Sequence, residues 1–404
     1  MGSSIEARID LVDGFFWGRN PHEELTWLRA NAPVWRDPRT GVWGVATYDL
    51  VKHVATHPQL FSSAGGIRPD HAAMPMMIDM DDPEHWQRRK VVNKGFTPRR
   101  VREKETSIRN IVDTILDRVC ERGECDLVWD IAAWLPLIVI ANELGVDPAD
   151  REQLLRWSEA MMGALGQADE EAMKIAAAAG GGYYAYAQRV INARRERPTD
   201  DLMSILVHAE VDGDRLDDAG IISESLLILN GGDETTRHVI SGGVYELLRT
   251  PETWAALRRD RDLIPSAIEE MLRWVSPIRN MARTATTDVE LAGQQIAAGD
   301  KLLLLYPSAN RDETAFEDPF TFDIRRSPNE HVAFGFGPHY CLGTSLARLE
   351  LRSVLDRLLD RLPDLTLVGT EEPKHRAANF VSGYESVPVR FTPTRPIGAQ
   401  EVRP

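Results

Sequence analysis

The strongest constraint in this sequence is one helical stretch of about 30 residues, from Asp217 to Leu248. Apolar residues recur along it three and four apart, yet its centre reads NGGDETTRH. Each of the two central glycines costs about 1 kcal/mol relative to alanine in a helix, and buried polar groups cost more unless they find partners. A solvent-facing helix could accept both, but the apolar run Leu226 to Leu229 argues against exposure. We expect a helix that crosses the protein interior and carries a functional site at its centre.

The remaining periodicity predicts a mainly α fold with a smaller β-rich portion (α+β), built as a single domain over residues 1–404. Helical spacing predominates over 84–275 and returns in a last helix, 342–362, whereas short strands are indicated near 30–50 and over 285–400. Asp200 is a candidate N-cap for the helical residues that follow it. Three consecutive glycines within 176–184 predict a mobile connection between two helices, either a surface turn or a hinge over a pocket.

Charge and composition exclude several classes of protein. With 62 acidic and 47 basic residues the net charge is −15, which argues against nucleic acid as the main partner. The longest apolar run holds only 11 residues, interrupted by Pro136, whereas about 20 span a bilayer. The first ten residues lack the apolar core of a signal peptide or anchor. Three cysteines in an acidic chain indicate a reducing compartment. We expect a cytoplasmic monomer without a membrane anchor.

One of the three cysteines lies in an unusual context. Cys341 ends a loop of glycines and aromatic residues, HVAFGFGPHYC, that runs directly into the last helix. A thiol near a helix N-terminus is favoured as thiolate, and the glycines Gly335, Gly337 and Gly343 permit close approach of a flat group or of the backbone. Two interpretations follow. Cys341 could be an axial ligand of haem iron, or a nucleophile with His339 as its base.

The residues of this loop resemble the haem-binding signature of the cytochrome P450 family. The matching positions are Phe334, Gly337, His339, Cys341 and Gly343. Three further stretches resemble motifs of the same family in its order: GGDET at 231–235, EMLR at 270–273, and PFTFDIRR at 319–326. The resemblance covers the chain from about residue 80 to its end. It implies the cytochrome P450 fold, with haem between a long kinked central helix and the cysteine loop.

The resemblance also implies a role for each matching residue. Cys341 would hold the iron of haem b, while Glu234 and Thr235 would relay the two protons that reduction of dioxygen consumes. Gly231 and Gly232 would leave room for dioxygen on the same helix. The residues matching the family's haem-propionate partners are His85, Arg89, Arg283 and His339. The residues matching its structural ion network are Glu270, Arg273 and Arg326.

The electrons for such a reaction are expected to come from outside the chain. No flavin domain, dinucleotide-binding fingerprint or ferredoxin-type cysteine cluster occurs in the sequence. The resemblance therefore implies a separate ferredoxin and ferredoxin reductase, supplied by NAD(P)H. A predicted basic island, either a docking surface for the acidic ferredoxin or simply a solvated helix face, consists of Arg88, Arg89, Lys90, Lys94, Arg99 and Arg100.

Beyond the family motifs, several stretches resemble the actinobacterial sterol side-chain hydroxylases. Examples are GGIRPD at 65–70, LILNGGDETTRH at 227–238 and ANFVSG at 378–383. This implies terminal hydroxylation of a cholesterol or cholest-4-en-3-one side chain. The alternatives are another lipid, terpenoid or macrolide, or a haem protein that acts as a peroxygenase or ligand carrier. The candidate pocket residues, each of which could instead belong to the core, are Ile67, Met74, Met76, Met77, Leu226, Leu229, Ile278, Met281, Phe380 and Val381.

Overall fold

The computed structural model describes residues 5–164, 170–211 and 213–399. Its α-helices are α1 Gly14–Gly18, α2 His22–Asn31, α3 Tyr48–Thr56, α4 Glu84–Val92, α5 Pro98–Glu103, α6 Glu105–Asp117, α7 Trp134–Glu143, α8 Arg151–Gly163, α9 Glu170–Glu196, α10 Leu202–His208, α11 Asp218–Arg249, α12 Pro251–Arg259, α13 Ile264–Val275, α14 Tyr306–Ala309 and α15 Thr344–Arg361.

The strands of the described residues are shorter than the helices and form four small sheets. They are β1 Val34–Arg36, β2 Trp43–Val45, β3 Phe61–Ser62, β4 Glu124–Asp126, β5 Glu210–Val211, β6 Asp214–Arg215, β7 Asn280–Ala285, β8 Val289–Leu291, β9 Gln294–Ile296, β10 Lys301–Leu305, β11 Thr366–Leu367 and β12 Pro388–Arg390. The predicted fold class, mainly α with a smaller β-rich portion, is therefore confirmed.

The helix α11 is the central element of the fold. It begins after Asp217, whose side chain accepts a hydrogen bond from the backbone N–H of Gly220 and so caps the helix. It continues without interruption through the two central glycines to Arg249 and packs against α7, α13 and α15. The largest apolar cluster joins these helices with α6. As predicted, α11 crosses the interior.

The largest sheet positions a β-rich wall beside these helices. Its strand order is β1-β2-β10-β7-β3, with β10 parallel to β2 and antiparallel to β7. The pairing sets Leu304 opposite Met281 and Leu302 opposite Arg283. Because side chains alternate along a strand, Met281 and Arg283 share one face of β7. In a separate three-stranded sheet, β11-β12-β4, the C-terminal strands β11 and β12 pair with β4, which follows α6 in the chain.

Two local predictions were wrong. Residues 176–184 form no connection between helices, since α9 runs unbroken through all three glycines. A Cβ at Gly182 would stand 2.7 Å from the indole nitrogen of Trp157, so this glycine permits close packing of α9 on α8. Asp201, not Asp200, caps α10, because its carboxylate accepts the N–H of Ser204. Within the described ranges, no helix has the length and apolarity needed to cross a membrane.

Candidate active site

A large cavity lies between the middle of α11 and the loop that precedes α15. It encloses about 1310 Å³ of empty space, including the part open to solvent. Its floor is formed by Phe334, Cys341 and Gly343, and the opposite wall by Gly231 and Thr235. Most of the remaining wall is apolar, which suits an apolar guest.

Cys341 faces this cavity from the end of its loop. Its backbone N–H donates to the carbonyl of Phe334 at 2.9 Å, which fixes the turn ahead of α15. Burial raises the pKa of the Cys341 thiol, while the backbone N–H of Gly343 and the guanidinium groups of Arg89 and Arg348 act to lower it. Burial therefore outweighs the helix N-terminus in the chain alone. A coordinated metal ion deprotonates a thiol outright, so these three groups are placed to support a bound thiolate.

Two of the loop glycines serve different purposes. A Cβ at Gly343 would lie 4.0 Å from the Cys341 sulfur, so its absence leaves the space around the thiol open. Gly337, at φ +73°, has its closest neighbour elsewhere: a Cβ there would stand 2.3 Å from the carbonyl oxygen of Ala55, beside the end of α3. Gly337 therefore allows the loop to pack against a helix and does not itself line the cavity.

The predicted haem-propionate partners gather at one edge of the cavity. The rings of His85 and His339 lie 4.1 Å apart, and both line the cavity together with Arg89. His85 Nε2 is buried and has no hydrogen-bond partner among the described residues. Arg283 does not line the cavity, but it lies close enough to act on His339. Burial lowers the pKa of His339 to about 2, and the positive charge of Arg283 adds to this lowering.

This edge fits a flat group that carries carboxylates. An unpartnered imidazole nitrogen and two guanidinium groups beside an apolar floor match propionates at the rim of a macrocycle. The open position beside the thiol, where Gly343 has no side chain, leaves space for the macrocycle itself. The residues present therefore fit haem, and Cys341 would hold its iron.

The distal wall of the cavity is built by the centre of α11. Gly231 has no neighbouring atom within 4 Å of where its Cβ would be, so it leaves open space on the cavity side. Gly232 instead packs against Ile140 of α7, where a Cβ would meet the side chain at 3.0 Å. The Thr235 hydroxyl faces the cavity and donates to the carbonyl of Gly231 at 2.8 Å.

Glu234 is turned away from the cavity, although it adjoins Thr235 in sequence. Its carboxylate is fully buried and accepts a hydrogen bond from Arg376 at 2.8 Å, while its second oxygen has no partner in the described structure. Burial raises the pKa of Glu234 to about 7, with Arg376 and Arg237 opposing the rise. Because neighbouring helical residues point to different faces, Glu234 and Thr235 do not act side by side as a preformed pair.

Four further residues extend this group, and the sequence interpretation did not include them. Arg376 and Arg237 both bind Glu159, and Arg237 also binds Asp233 at 3.0 Å. Because residues four apart lie on one face of a helix, the spacing of Asp233 and Arg237 could have predicted their ion pair. No sequence signal connects Glu159 and Arg376 to this site, since they lie far away in the chain. We call these four residues, together with Glu234, the distal ion network.

The structure also brings Glu270, Arg273 and Arg326 together, on the other side of the cysteine loop. Arg273 binds Glu270 at 2.7 Å and Arg326 binds it at 3.2 Å. Arg273 donates in addition to the backbone carbonyls of Asn310 and Pro319, which lie in the segment ahead of the loop. We call this group the proximal ion network.

The ten candidate pocket residues separate into three groups. Met77, Ile278 and Met281 line the cavity. Ile67, Phe380 and Val381 do not; they pack with Met162 into a small cluster that Ile278 and Met281 contact from the cavity side. The other four lie outside both: Leu226 and Leu229 face neighbouring helices, Met76 is buried elsewhere, and Met74 is 38% exposed. Leu226 and Leu229 lie on α11, whose apolar residues face several neighbouring helices, so apolar spacing alone does not identify the cavity side.

The fold and the cavity together place the Cys341 thiol and the Thr235 hydroxyl on opposite sides of a site that fits a flat group. The sequence profile of the cytochrome P450 family matches residues 165–382. A steroid C26-monooxygenase of Mycobacterium tuberculosis is 52% identical over 96% of this chain and 98% of its own. A methyl-branched lipid omega-hydroxylase of Mycobacterium bovis is 40% identical, covering 87% of this chain and 84% of its own.

Solved structures agree with these sequence relatives. The cytochrome P450 CYP109E1 of Bacillus megaterium, in complex with corticosterone, superimposes with a TM-score of 0.85 at 36% identity, covering 93% of this chain and 99% of its own. CYP109Q5 of Chondromyces apiculatus gives 0.86 at 34% identity, covering 96% and 98%. This chain belongs to the cytochrome P450 family.

Proposed function

We propose that this protein is a haem-thiolate monooxygenase that hydroxylates the terminal methyl group of a steroid side chain, such as that of cholesterol or cholest-4-en-3-one. The observation that carries the proposal is the apolar cavity between Cys341 and the Gly231–Thr235 wall. The steroid C26-monooxygenases, at 52–53% identity over nearly the whole chain, support the choice of substrate. Haem bound here supplies insertion of one oxygen atom from dioxygen into a C–H bond.

The residues of the chain have distinct tasks in this proposal. Cys341 would hold the iron, Arg89 and Arg283 would neutralise the propionates, and the neutral imidazoles of His85 and His339 would hydrogen-bond to them. Met77, Ile278 and Met281 exclude water and orient the apolar end of the substrate.

Proton delivery uses the two faces of α11. The Thr235 hydroxyl holds a water in the cavity, and the Glu234 carboxyl, whose pKa is about 7, exchanges its proton near neutral pH. Since the two side chains face apart, a water or a side-chain rotation of Glu234 completes the path.

The electrons are supplied, in this proposal, by NAD(P)H through a ferredoxin reductase and an acidic ferredoxin. Of the predicted basic island, Arg88 points inward to the buried Glu224 at 3.0 Å, and Arg89 lines the cavity. Arg99 and Arg100 are paired with Glu103 and Asp200. The exposed cations that are left for a docking surface are Lys90, over the ring of Trp86, and Lys94. We therefore propose a smaller docking surface than the sequence indicated.

A spectral titration tests the substrate. Cholest-4-en-3-one added to the ferric protein is expected to displace water from the iron and shift the haem from low to high spin at micromolar concentration. The product of a reconstituted turnover is expected to carry oxygen at the side-chain terminus. No shift with any C27 steroid, together with a clear shift by another class of compound, would overturn the substrate assignment.

The same titration covers a second candidate, a methyl-branched fatty acid. The relatives named for omega-hydroxylation of methyl-branched lipids, at 40% identity, favour it over unbranched substrates. A terminal branched methyl group is common to both substrates, and either substrate would pack this group against the apolar side chains of Ile278 and Met281. Tighter binding of the branched fatty acid than of the steroid would reverse the order of the two candidates.

A further inference from the structure

A second cavity lies beside the C-terminal half of α11. It is enclosed by α11, the end of α13, the turn after α14 and residues 375–384, with about 600 Å³ of empty space including its open mouth. No described residue lines both this cavity and the one at Cys341. We call it the arginine cavity, because Arg249, Arg279 and Arg311 contribute to its lining.

Two of these arginines are deep in the wall without a carboxylate partner. Arg279 is 4% exposed and Arg311 is 3% exposed. Arg311 donates to the backbone carbonyl of Trp274 at 2.9 Å, and Arg279 to that of Ser382 at 3.1 Å. In the part of the chain that the structure describes, neither forms an ion pair. Backbone carbonyls accept their hydrogen bonds but do not neutralise their charges.

Several donor atoms around the cavity are also left over. Arg279 Nε, Arg311 Nε and Arg311 Nη1 are buried and have no hydrogen-bond partner among the described residues. The same holds for His375 Nε2 and for both ring nitrogens of His238. Because a neutral imidazole carries one N–H, His238 and His375 each contribute at most one donor. Buried donors normally find partners, so the orphaned arginine nitrogens together with these imidazoles indicate a missing acceptor.

The carboxylates that face this cavity are already committed or exposed. Glu246 binds Arg249 at 3.1 Å, and Glu372 lies in an exposed segment at the mouth. Glu270, which acts on Arg311 from the next layer, is held by Arg273 and Arg326. The cavity therefore keeps an excess of positive charge.

The direction of the pKa shifts agrees with this excess. Burial lowers the pKa of Arg311 to about 9, and repulsion by Arg273 and Arg279 adds to the effect. Burial also lowers the pKa of Arg279 to about 10. His375 is lowered to about 3 by burial together with the charges of Arg279 and Arg311, so it stays neutral and can donate one N–H.

Water molecules alone would not resolve this arrangement. A water accepts a hydrogen bond from an orphaned N–H, but it leaves two guanidinium charges uncompensated in a poorly polarisable interior. An anion accepts the same hydrogen bonds and also cancels charge. We propose that the arginine cavity binds a small inorganic anion, of the halide or phosphate class, that enters by the mouth at Arg249 and Glu372.

Such an anion would act on stability and not on turnover. It would connect α11, α13 and residues 375–384, and a ligand that binds only the folded state stabilises it in proportion to the logarithm of its concentration above Kd. The proposal is independent of the proposed function, because no described residue that lines the arginine cavity also lines the cavity at Cys341.

Thermal unfolding of the haem-loaded protein tests this site. Sodium bromide, chloride and phosphate are each titrated at constant ionic strength, with gluconate, a bulky and strongly hydrated anion, as the balancing anion. We expect a saturating rise in Tm of about 2–4 °C in the millimolar range. The anion that saturates at the lower concentration, halide or phosphate, identifies the occupant.

Two variants assign the effect to the cavity. Arg279→Gln is expected to lose the saturating rise, whereas Arg261→Gln, which removes a charge from a surface pair with Asp360, is expected to keep it. If Arg279→Gln does not fold, a crystal of the unaltered protein grown with millimolar bromide decides instead. An anomalous peak between Arg279 and Arg311 supports the site. An empty cavity, occupancy only at molar bromide (an adventitious ion only), or equal Tm curves for both variants overturns it.

Discussion

The two ion networks that flank the haem site contain the same kind of group in opposite states. Glu270 in the proximal network and Glu234 in the distal network are both fully buried. Burial acts to raise both pKa values. Hydrogen bonds from Arg273 and from the backbone N–H of Asp323, together with the charges of Arg273 and Arg326, nevertheless bring the pKa of Glu270 below its ordinary value. Glu234 has only Arg376 as a direct partner, and its pKa rises to about 7.

This difference indicates that the number of partners decides whether a buried carboxyl keeps its charge or can gain a proton near neutral pH. Glu270 accepts from Arg273, Arg326, Asn329 and the backbone N–H of Asp323, so both oxygens are satisfied. Glu234 keeps one oxygen without a partner in the described structure. A fully partnered carboxylate is fixed in charge and position, whereas a partly partnered one is free to gain a proton near neutral pH.

The largest effect is expected from breaking the proximal network. Glu270→Gln leaves Arg273 and Arg326 as buried charges without a carboxylate partner, which we expect to lower the free energy of unfolding by about 3–5 kcal/mol. Chemical denaturation of the haem-loaded protein measures this. The control Glu252→Gln changes an exposed glutamate at the start of α12 and is expected to cost less than about 0.5 kcal/mol. A similar small loss for both variants would contradict the role of Glu270.

Breaking the distal network is expected to affect turnover instead of folding. Glu234→Gln removes the exchangeable proton, so we expect steroid hydroxylation to slow by about 10²-fold with unchanged haem content and unfolding midpoint. The control Glu159→Gln alters the same network but leaves Glu234 in place. Equal rates for Glu234→Gln and the unaltered protein would show that protons arrive by another path.

The cavity wall offers a smaller and separate effect. Ile278→Ala removes apolar surface that lines the cavity, and we expect the Kd of cholest-4-en-3-one to rise about tenfold, equivalent to about 1.4 kcal/mol. Leu226→Ala is the matched control, because Leu226 packs toward other helices and lies outside the cavity. Spectral titration of both variants measures the difference. Equal losses of affinity would mean that the substrate does not contact Ile278.

The smallest change at neutral pH is expected from Arg376→Gln. The positive charge of Arg376 lowers the pKa of Glu234, so its removal raises that pKa further and keeps the carboxyl protonated to higher pH. In the unaltered protein about half of the Glu234 carboxyls are protonated at pH 7, so the rate of the variant there rises at most about twofold, while its loss of activity moves to higher pH. A pH profile of turnover measures the shift, and a profile that moves downward or not at all would contradict the coupling.

Much of this architecture can be predicted from residues that are close together in the sequence. The long helix that starts near Asp217, its apolar spacing and the strands after residue 285 were predicted and confirmed, because periodicity depends on residues a few positions apart. The Cys341 loop was found in the same way, since its glycines, aromatic residues and cysteine are contiguous. The family followed from these motifs.

Long-range partners were not predictable in this way. Arg376 reaches Glu234 across 142 positions, and Arg279 and Arg311 come from different elements to enclose one cavity. The glycines of 176–184 were misinterpreted because Gly182 makes close contact with Trp157 on another helix, which the local sequence does not reveal. The sequence by itself determined the helices, the thiol loop and the family. Only the tertiary structure decided which buried charges meet and which stay unpaired, because burial and pairing depend on how separate elements pack.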